Sequence, residues 1–441
     1  MERYTNYRHI ETIWTDRIPS EWGYSKAKRF FSITLGKMLQ PNQESANDEL
    51  LDYLCSINLS WDGLNLSEVR QMWFSPQEKG KYRLQKGDLL VTEGGDVAVS
   101  SFWNNELNEC YIQNAIHLVR SKFNDNLKFL FYWLQFLKSS GYIDIICNKA
   151  TITHFTKDKF GSIPLFCPSV IEQTAIITYL DRSTAKIDNL LSDLQSQATM
   201  LDRYKQELIA NTITHGLDKS VPMKDSGVDW IGKIPQAWSI NKIRFLGTLK
   251  NGISKGGDSF GAGFPFVNYG DVYNNPTLPT EVSGLVESSA IERNLYSVKS
   301  GDVFFTRTSE TVEEIGIAST CVSSIPDATF AGFLIRFRPT SKLLTKDFAK
   351  YYFRSDILRK HFVKEMMIVT RASLGQNLLK NTPVPLPPVH EQEEIAAFLD
   401  KKTAQIDGLI ADIKTQIDKL KQYRQIVIHD AVTGKIKVSE G

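Results

Sequence analysis

EQEEIAAFLDKKTAQIDGLI runs from Glu391 to Ile410, and EQTAIITYLDRSTAKIDNLL runs from Glu172 to Leu191. Extended without a gap to Thr433 and Thr214, the two stretches share 17 identities over 43 positions. Among them are Leu180/Leu399, Asp181/Asp400, Thr184/Thr403, Ile187/Ile406, Asp188/Asp407 and Tyr204/Tyr423, each pair 219 positions apart. Self-similarity at a fixed offset points to a duplicated architecture. The likeness reaches beyond the helices. IPSEW after Trp14 answers IPQAW after Trp230, KRFFSI answers IRFLGT, and KGDLLVT from Lys86 answers SGDVFFT from Ser300. The order is block, helix, block, helix; the helices repeat closely and the blocks keep only their punctuation.

The periodicity predicts a long helix in each repeat. One apolar seam runs Ile187, Leu190, Leu194, Leu201, Tyr204, Leu208, and the other Ile406, Leu409, Ile413, Leu420, Tyr423, Val427, with Gln197 and Gln416 at the same inner position. Both follow the 3–4 spacing of a coiled-coil stripe. Pro168-Ser169 with Glu172 reads as an N-cap, and Pro387-Pro388 suits a helix entry. Gly216 and Gly434 close the helices. Some 45 residues at 1.5 Å each make a rod of about 65 Å. A rod with one apolar seam needs a mate, and the similar seams make each helix the mate of the other. The chain must return through a whole block between them, so an antiparallel pair about a pseudo-two-fold axis is expected, with one block at each end.

The blocks, 1–162 and 217–382, carry short β-like runs such as DLLVT, NAIHLVR, DVFFT and FLIRFRP, broken by turn signals at Gly94-Gly95, Asn251-Gly252 and Gly256-Gly257. Each ends in an aromatic-rich helical stretch, LKFLFYWLQFLKSS from Leu127 and KDFAKYYFRSDILRKHFVKEM from Lys346. Both blocks read as α+β.

At 441 residues, 42% hydrophobic and 23% charged, the chain has the composition of a globular protein of several domains. MERYTNYRHI holds no apolar signal core, and no window approaches a membrane span. The five cysteines are scattered without a CxxC pair, which fits a reducing cytoplasm and suggests no zinc knuckle. Motifs for catalysis are missing. There is no GxxxxGK[ST]; GAG at Gly261 follows no strand-to-helix unit; HEQEE at His390 lacks the second histidine of a zinc site. A duplicated enzyme is expected to keep at least one intact site, and neither half has one.

DNA binding needs cations for phosphates and hydrogen-bonding side chains for base edges. Thr340 to Lys380 holds nine Lys/Arg against three Asp/Glu, and Val119 to Phe160 holds seven against three. Loops supply the base-reading candidates. Lys255, Asn268 and Tyr269 lie on a glycine-permissive frame, Thr306 and Arg307 follow a predicted strand, and Arg371 stands in TRAS. Arginine bonds guanine in two places, and asparagine does so with adenine. In the first block Thr92 and Glu93 hold the place of Thr306 and Arg307. A carboxylate there either accepts from cytosine or caps a turn.

IGKIPQAWSI, then VPLPPVHEQEEIAAFLDKKTAQIDGLI, with a diverged copy of both upstream, resembles the specificity (S) subunit of type I restriction–modification systems, the HsdS family. The resemblance spans nearly the whole chain. It implies two α/β target-recognition domains, 1–162 and 217–382, separated by two long antiparallel spacer helices within 163–216 and 383–441. It also implies a non-catalytic subunit that reads a bipartite, asymmetric site in double-stranded DNA. Two methyltransferase (M) subunits and motor-nuclease (R) subunits would join it, bringing S-adenosylmethionine, ATP and magnesium; no membrane is involved. IPLFCPSVIEQ appears two residues longer than VPLPPVHEQ between proline and Glu-Gln, which predicts a shift of the first domain on its rod. The rival reading is a coiled-coil scaffold whose blocks bind protein.

Overall fold

The computed structural model describes residues 3–123, 125–147, 154–308, 314–366 and 373–438. The chain forms two compact units, one of Met1–Leu194 with Thr415–Gly441, the other of Gln195–Lys414. Each unit therefore holds one block together with part of both long helices, Val170–His215 and Val389–Val432.

The blocks are built alike. In the first unit an antiparallel sheet runs in the order Ser100–Phe102, Leu89–Thr92, Ile116–Ser121, Phe31–Leu35. In the second the order is Ala318–Thr320, Val303–Thr306, Leu334–Pro339, Gly247–Asn251. Leu89–Thr92 and Val303–Thr306 are buried along their whole length, so they read as continuous apolar runs ending in threonine rather than as alternation. The shared KGD and SGD punctuation has a physical cause. Asp88 accepts from the Gln85 amide and takes a two-pronged ion pair from Arg120 at 2.6 and 2.7 Å. Asp302 does the same with the Lys299 amide and Arg338, at 2.6 Å twice. A turn and a neighbouring strand are locked by one carboxylate.

The rods belong to the cores of the units. Ile176, Ile177, Leu180, Val427, Ile428, Ala431 and Val432 pack with Trp22, Trp133 and Phe166 in the first unit. Ile213, Ile395 and Leu399 pack with Trp238, Phe305 and Tyr352 in the second. Fastening is duplicated. Asp181 receives the Lys128 ammonium at 2.6 Å and the Tyr132 hydroxyl at 2.7 Å, and Asp400 receives Lys350 and Tyr351, both at 2.6 Å. Burial, aided by the acceptor carboxylate, pushes both phenols well above their ordinary range. The identities at Asp181/Asp400 are thus block-to-rod clamps.

Within each unit the rods run antiparallel. Arg424 reaches Asp188 at 2.9 Å in the first, and Lys205 reaches Asp407 at 2.8 Å in the second, the same pair under the 219-residue offset. Ser169 caps the first rod, its hydroxyl accepting from the Glu172 amide at 3.3 Å. Gly216 and Gly434 end the rods with φ of 76° and 72°. Gly434 has a further reason to lack a side chain: a Cβ there would sit 2.5 Å from the Pro19 ring and 3.2 Å from Trp22.

Three expectations need correction. The buried seam is turned by one residue from the one predicted. Ile187, Ile406 and Ile413 are buried and Leu194, Leu201 and Leu420 partly so, but Leu190, Tyr204, Leu409 and Tyr423 are 51, 55, 52 and 49% exposed, and Gln197 and Gln416 face outward. The intervening seam places belong to Leu191/Ile410, Ala198/Ile417 and Lys205/Arg424. Spacings of 3 then 4 and of 4 then 3 share every second residue. Lys205 is charged, yet its stem lies inward and its head pairs with Asp407. Second, KDFAKYYFRSDILRKHFVKEM forms two helices, Lys346–Arg354 and Asp356–Met366. Ser355 is extended between them, its hydroxyl donating to the Tyr352 carbonyl at 2.7 Å. Third, Pro164–Cys167 and Pro383–Leu386 are equivalent strands at the same 219-residue offset, pairing with Gly23–Lys26 and Ser239–Lys242. There is no two-residue insertion ahead of the first rod.

Candidate nucleic-acid interface

One turn recurs in both units at the end of the central strand. The Thr306 hydroxyl donates to the Glu314 carbonyl at 2.7 Å and accepts from the Ile317 amide at 2.9 Å. The Thr92 hydroxyl donates to the Asp96 carbonyl at 2.6 Å and accepts from the Val99 amide at 3.0 Å. Both threonines are buried, and each ties the end of its strand to residues further along the chain. The next residue is pinned through its backbone. The Arg307 amide donates to Phe333 and its carbonyl accepts from Leu374, both at 2.9 Å; the Glu93 amide donates to Ala115 at 2.8 Å and its carbonyl accepts from Phe155 at 2.7 Å. Glu93 and Arg307 therefore occupy one position of one scaffold with opposite charge.

Their side chains differ in surroundings. Glu93 meets the Nδ1 of His154 at 3.1 Å. Beneath it His117 is fully buried, its Nε2 2.7 Å from the Phe155 carbonyl and its Nδ1 without a partner. Nε2 thus carries the proton, and burial holds the ring below its ordinary pKa. The Arg307 guanidinium makes no ion pair or side-chain hydrogen bond among the described residues.

The other candidates are held elsewhere. Lys255 is paired with Glu292 at 2.6 Å, which holds that carboxyl down at about 2. Asn268 caps the helix Tyr269–Asn274, its oxygen accepting from the Asp271 amide at 3.1 Å. The Tyr269 hydroxyl donates to the Glu314 carbonyl at 3.0 Å, and its ring stacks on Tyr273. Arg371 lies outside the described residues. The basic segments are largely occupied. Lys128 and Lys350 clamp the rods, Lys138 pairs with Asp96, and Arg354 donates to the carbonyls of Val272, Tyr273, Asn275 and Ala318. Lys360 and Lys364, one turn apart, are exposed without such partners among the described residues.

Sequence reading missed Phe333. Its carbonyl accepts from the Arg307 amide one place beyond the last strand pair, Thr306 with Leu334, and it is 66% exposed. Its signal is FLIRFRP, where the first apolar residue precedes the buried strand by one place. No described group of His, Cys, Asp or Glu has metal-ligand geometry, and no described helix is long and apolar enough to cross a membrane.

With this geometry in hand, comparison with known proteins is informative. The family described as "Type I restriction modification DNA specificity domain" matches residues 19–198 and 237–419. The EcoBI type I restriction enzyme specificity subunit of Escherichia coli is 23% identical over 396 residues, covering 85% of this chain and 80% of its own. The MjaVIII specificity subunit of Methanocaldococcus jannaschii is 25% identical over 329 residues, covering 72% of each. Among solved structures, a chain from work on complex assembly and conformational transition of the type I R-M system aligns with a TM-score of 0.72 at 15% identity, over 95% of this chain and 99% of its own. The HsdS subunit of Thermoanaerobacter tengcongensis aligns with a TM-score of 0.51 at 15% identity, over 95% and 98%.

Proposed function

Since the chain belongs to the type I restriction–modification DNA specificity family, and is thus a non-catalytic subunit concerned with DNA recognition, we propose that its two blocks, 1–162 and 217–382, each read one half of a bipartite, asymmetric DNA target. The observation that carries this reading is the recurring turn. A matching set of backbone bonds presents Glu93 in one block and, in the other, Arg307, whose guanidinium has no partner among the described residues. A carboxylate accepts from cytosine and a guanidinium donates to guanine, so one frame serves two different base sequences. Lys360 and Lys364 lie on one helix face and are free to meet phosphates, which position a reader without specifying sequence.

The spacer helices, 163–216 and 383–441, hold the two readers apart and dock two methyltransferase subunits. Support comes from the outward residues. Leu190 and Tyr423 are exposed in the first unit, Leu409 and Tyr204 in the second, at positions equivalent by the 219-residue offset. Equivalent apolar surfaces suit two copies of one partner. S-adenosylmethionine belongs to those subunits, and ATP with magnesium to the motor-nuclease subunits that join them.

The test is to sequence methylated positions in host DNA with and without this gene, and with residues 230–380 exchanged for those of a relative. A bipartite motif that vanishes with the gene and changes in one half only on exchange is expected. Loss of both halves would contradict modular reading. Methylation indifferent to the gene would favour the protein scaffold.

A further inference from the structure

We infer that Phe333 and Arg307 read neighbouring bases together, with the Phe333 ring against a thymine 5-methyl group and the Arg307 guanidinium on the adjacent guanine. This rests on the DNA-reading role proposed for the second block. The two residues are joined just past the end of the strand ladder. Thr306 pairs with Leu334 in the antiparallel register, and the Arg307 amide donates to the Phe333 carbonyl at 2.9 Å. Continued one place past the last strand pair, the antiparallel register sets the two residues opposite each other, with Cβ atoms about 5 Å apart. That spacing is of the order of the base-pair step, about 3.4 Å.

An aromatic side chain with 66% of its surface open needs explaining when it sits on a firm backbone. The turn before Phe333 is pinned on three sides. The Ala331 amide donates to the Val267 carbonyl at 3.0 Å, the Gly332 amide to Ile253 at 2.8 Å, and the Leu334 amide to Ala331 at 3.0 Å. Gly252 lies so close beneath that a Cβ there would stand 2.2 Å from the Ala331 carbonyl. The ring is therefore carried on a preorganised frame next to a cation that has no partner among the described residues. Hydrophobic burial does not place it there, since its neighbours Leu334 and Ile335 fill the core and Phe333 does not. A duplex floor offers both contacts at adjacent steps of the major groove, a thymine methyl for the ring and guanine O6 and N7 for the guanidinium. In the first block the same two places hold Ala115 and Glu93. A carboxylate cannot donate to guanine O6 and N7, so that block reads a different base at this place, as two unlike half-sites require.

The experiment uses the full methyltransferase complex with this chain and duplexes bearing its methylation motif. In the half-site assigned to the second block by the 230–380 exchange, each thymine is replaced in turn by deoxyuridine, which lacks the 5-methyl, and each guanine by 7-deazaguanine. One deoxyuridine position is expected to weaken wild-type binding about fourfold, the worth of one buried methyl, and Phe333→Ala should bind both duplexes alike. The guanine whose replacement is silent in Arg307→Ala should be its neighbour. Wild-type indifference at every thymine, unchanged discrimination by Phe333→Ala, or a half-site without adjacent guanine and thymine would each overturn the pairing. Those outcomes leave a bipartite motif in place, whereas failure of the parent reading removes the motif itself.

Discussion

Gln392 is fully buried at the foot of the second rod, where its amide donates to the carbonyls of Leu343 at 2.7 Å and Pro387 at 2.9 Å and its oxygen accepts from the Thr345 amide at 2.9 Å. Gln173, its counterpart, makes two such bonds, to the Pro168 carbonyl at 3.1 Å and from the Asn126 amide at 3.3 Å. Truncation leaves buried backbone groups unpaired, so Gln392→Ala should cost about 1–3 kcal/mol, and Gln173→Ala less; urea unfolding of the two variants checks the order, and equal losses would show that the bonds are not the cause. His117 makes a second residue-scale prediction. Burial lowers its pKa in the folded state from the ordinary 6.5, while Glu93 raises it and Lys157 lowers it by smaller amounts. Below pH 6.5 the unfolded chain binds the proton more readily, so stability falls as pH drops through that value towards the lower folded pKa. His117→Gln should flatten that acid limb of the stability curve, and an unchanged slope would place the titration elsewhere. At this scale the shared Thr-Glu and Thr-Arg position was legible, because KGDLLVT and SGDVFFT fix its place along a strand. The occupation of Lys255 and Tyr269 was not, because their partners Glu292 and Glu314 lie 37 and 45 residues away. Phe333 was missed for a related reason: exposure of one residue at a strand end depends on a turn pinned from three directions.

The rods show what periodicity determines and what it leaves open. Their length, caps and antiparallel pairing follow from the repeat, since a long apolar stripe needs a mate of the same kind. The rotation of the stripe does not follow, because moving every second place on by one residue swings the stripe by only about 50° and keeps half of the seam. The tie is broken by Lys205 and Arg424, whose charges are matched by Asp407 and Asp188. This distinction separates stability from assembly. Ile413 is 8% exposed and Leu409 is half exposed, one turn apart on the same rod. Ile413→Ala should cost about 2–5 kcal/mol of stability, whereas Leu409→Ala should cost under about 1 kcal/mol and instead weaken capture of the methyltransferase subunit. Calorimetry paired with a co-purification assay reads both. If Leu409→Ala destabilises as much as Ile413→Ala, the outward stripe is core; if it does neither, the stripe docks nothing.

At the scale of the whole molecule the sequence shows two unlike blocks joined by two like helices, and the structure shows what ties the helices to each other. Each rod contributes to the core of both units, and each rod carries one Lys or Arg and one Asp of the duplicated ion pairs. A change in one rod is therefore felt in its mate, while the hydrogen bonds and ion pair given for Glu93 and Arg307 involve neither rod. From this follows a prediction about the unread gap between half-sites. Insertion of four residues into both rods at equivalent places, after Gln195 and after Lys414, lengthens each by about 6 Å and adds a turn of about 40° beyond a full revolution. One base pair adds about 3.4 Å and, at about 10.5 per turn, a rotation of about 34°. Rotation is matched by one added base pair and rise by nearly two, so the gap in the methylated motif should widen by one or two base pairs with both half-sites unchanged. Sequencing the methylated positions directed by the lengthened chain decides the matter. A motif with its original gap would mean that the rods do not set the spacing, and a motif with altered half-sites would mean that the rods shape the reading surfaces as well as separating them.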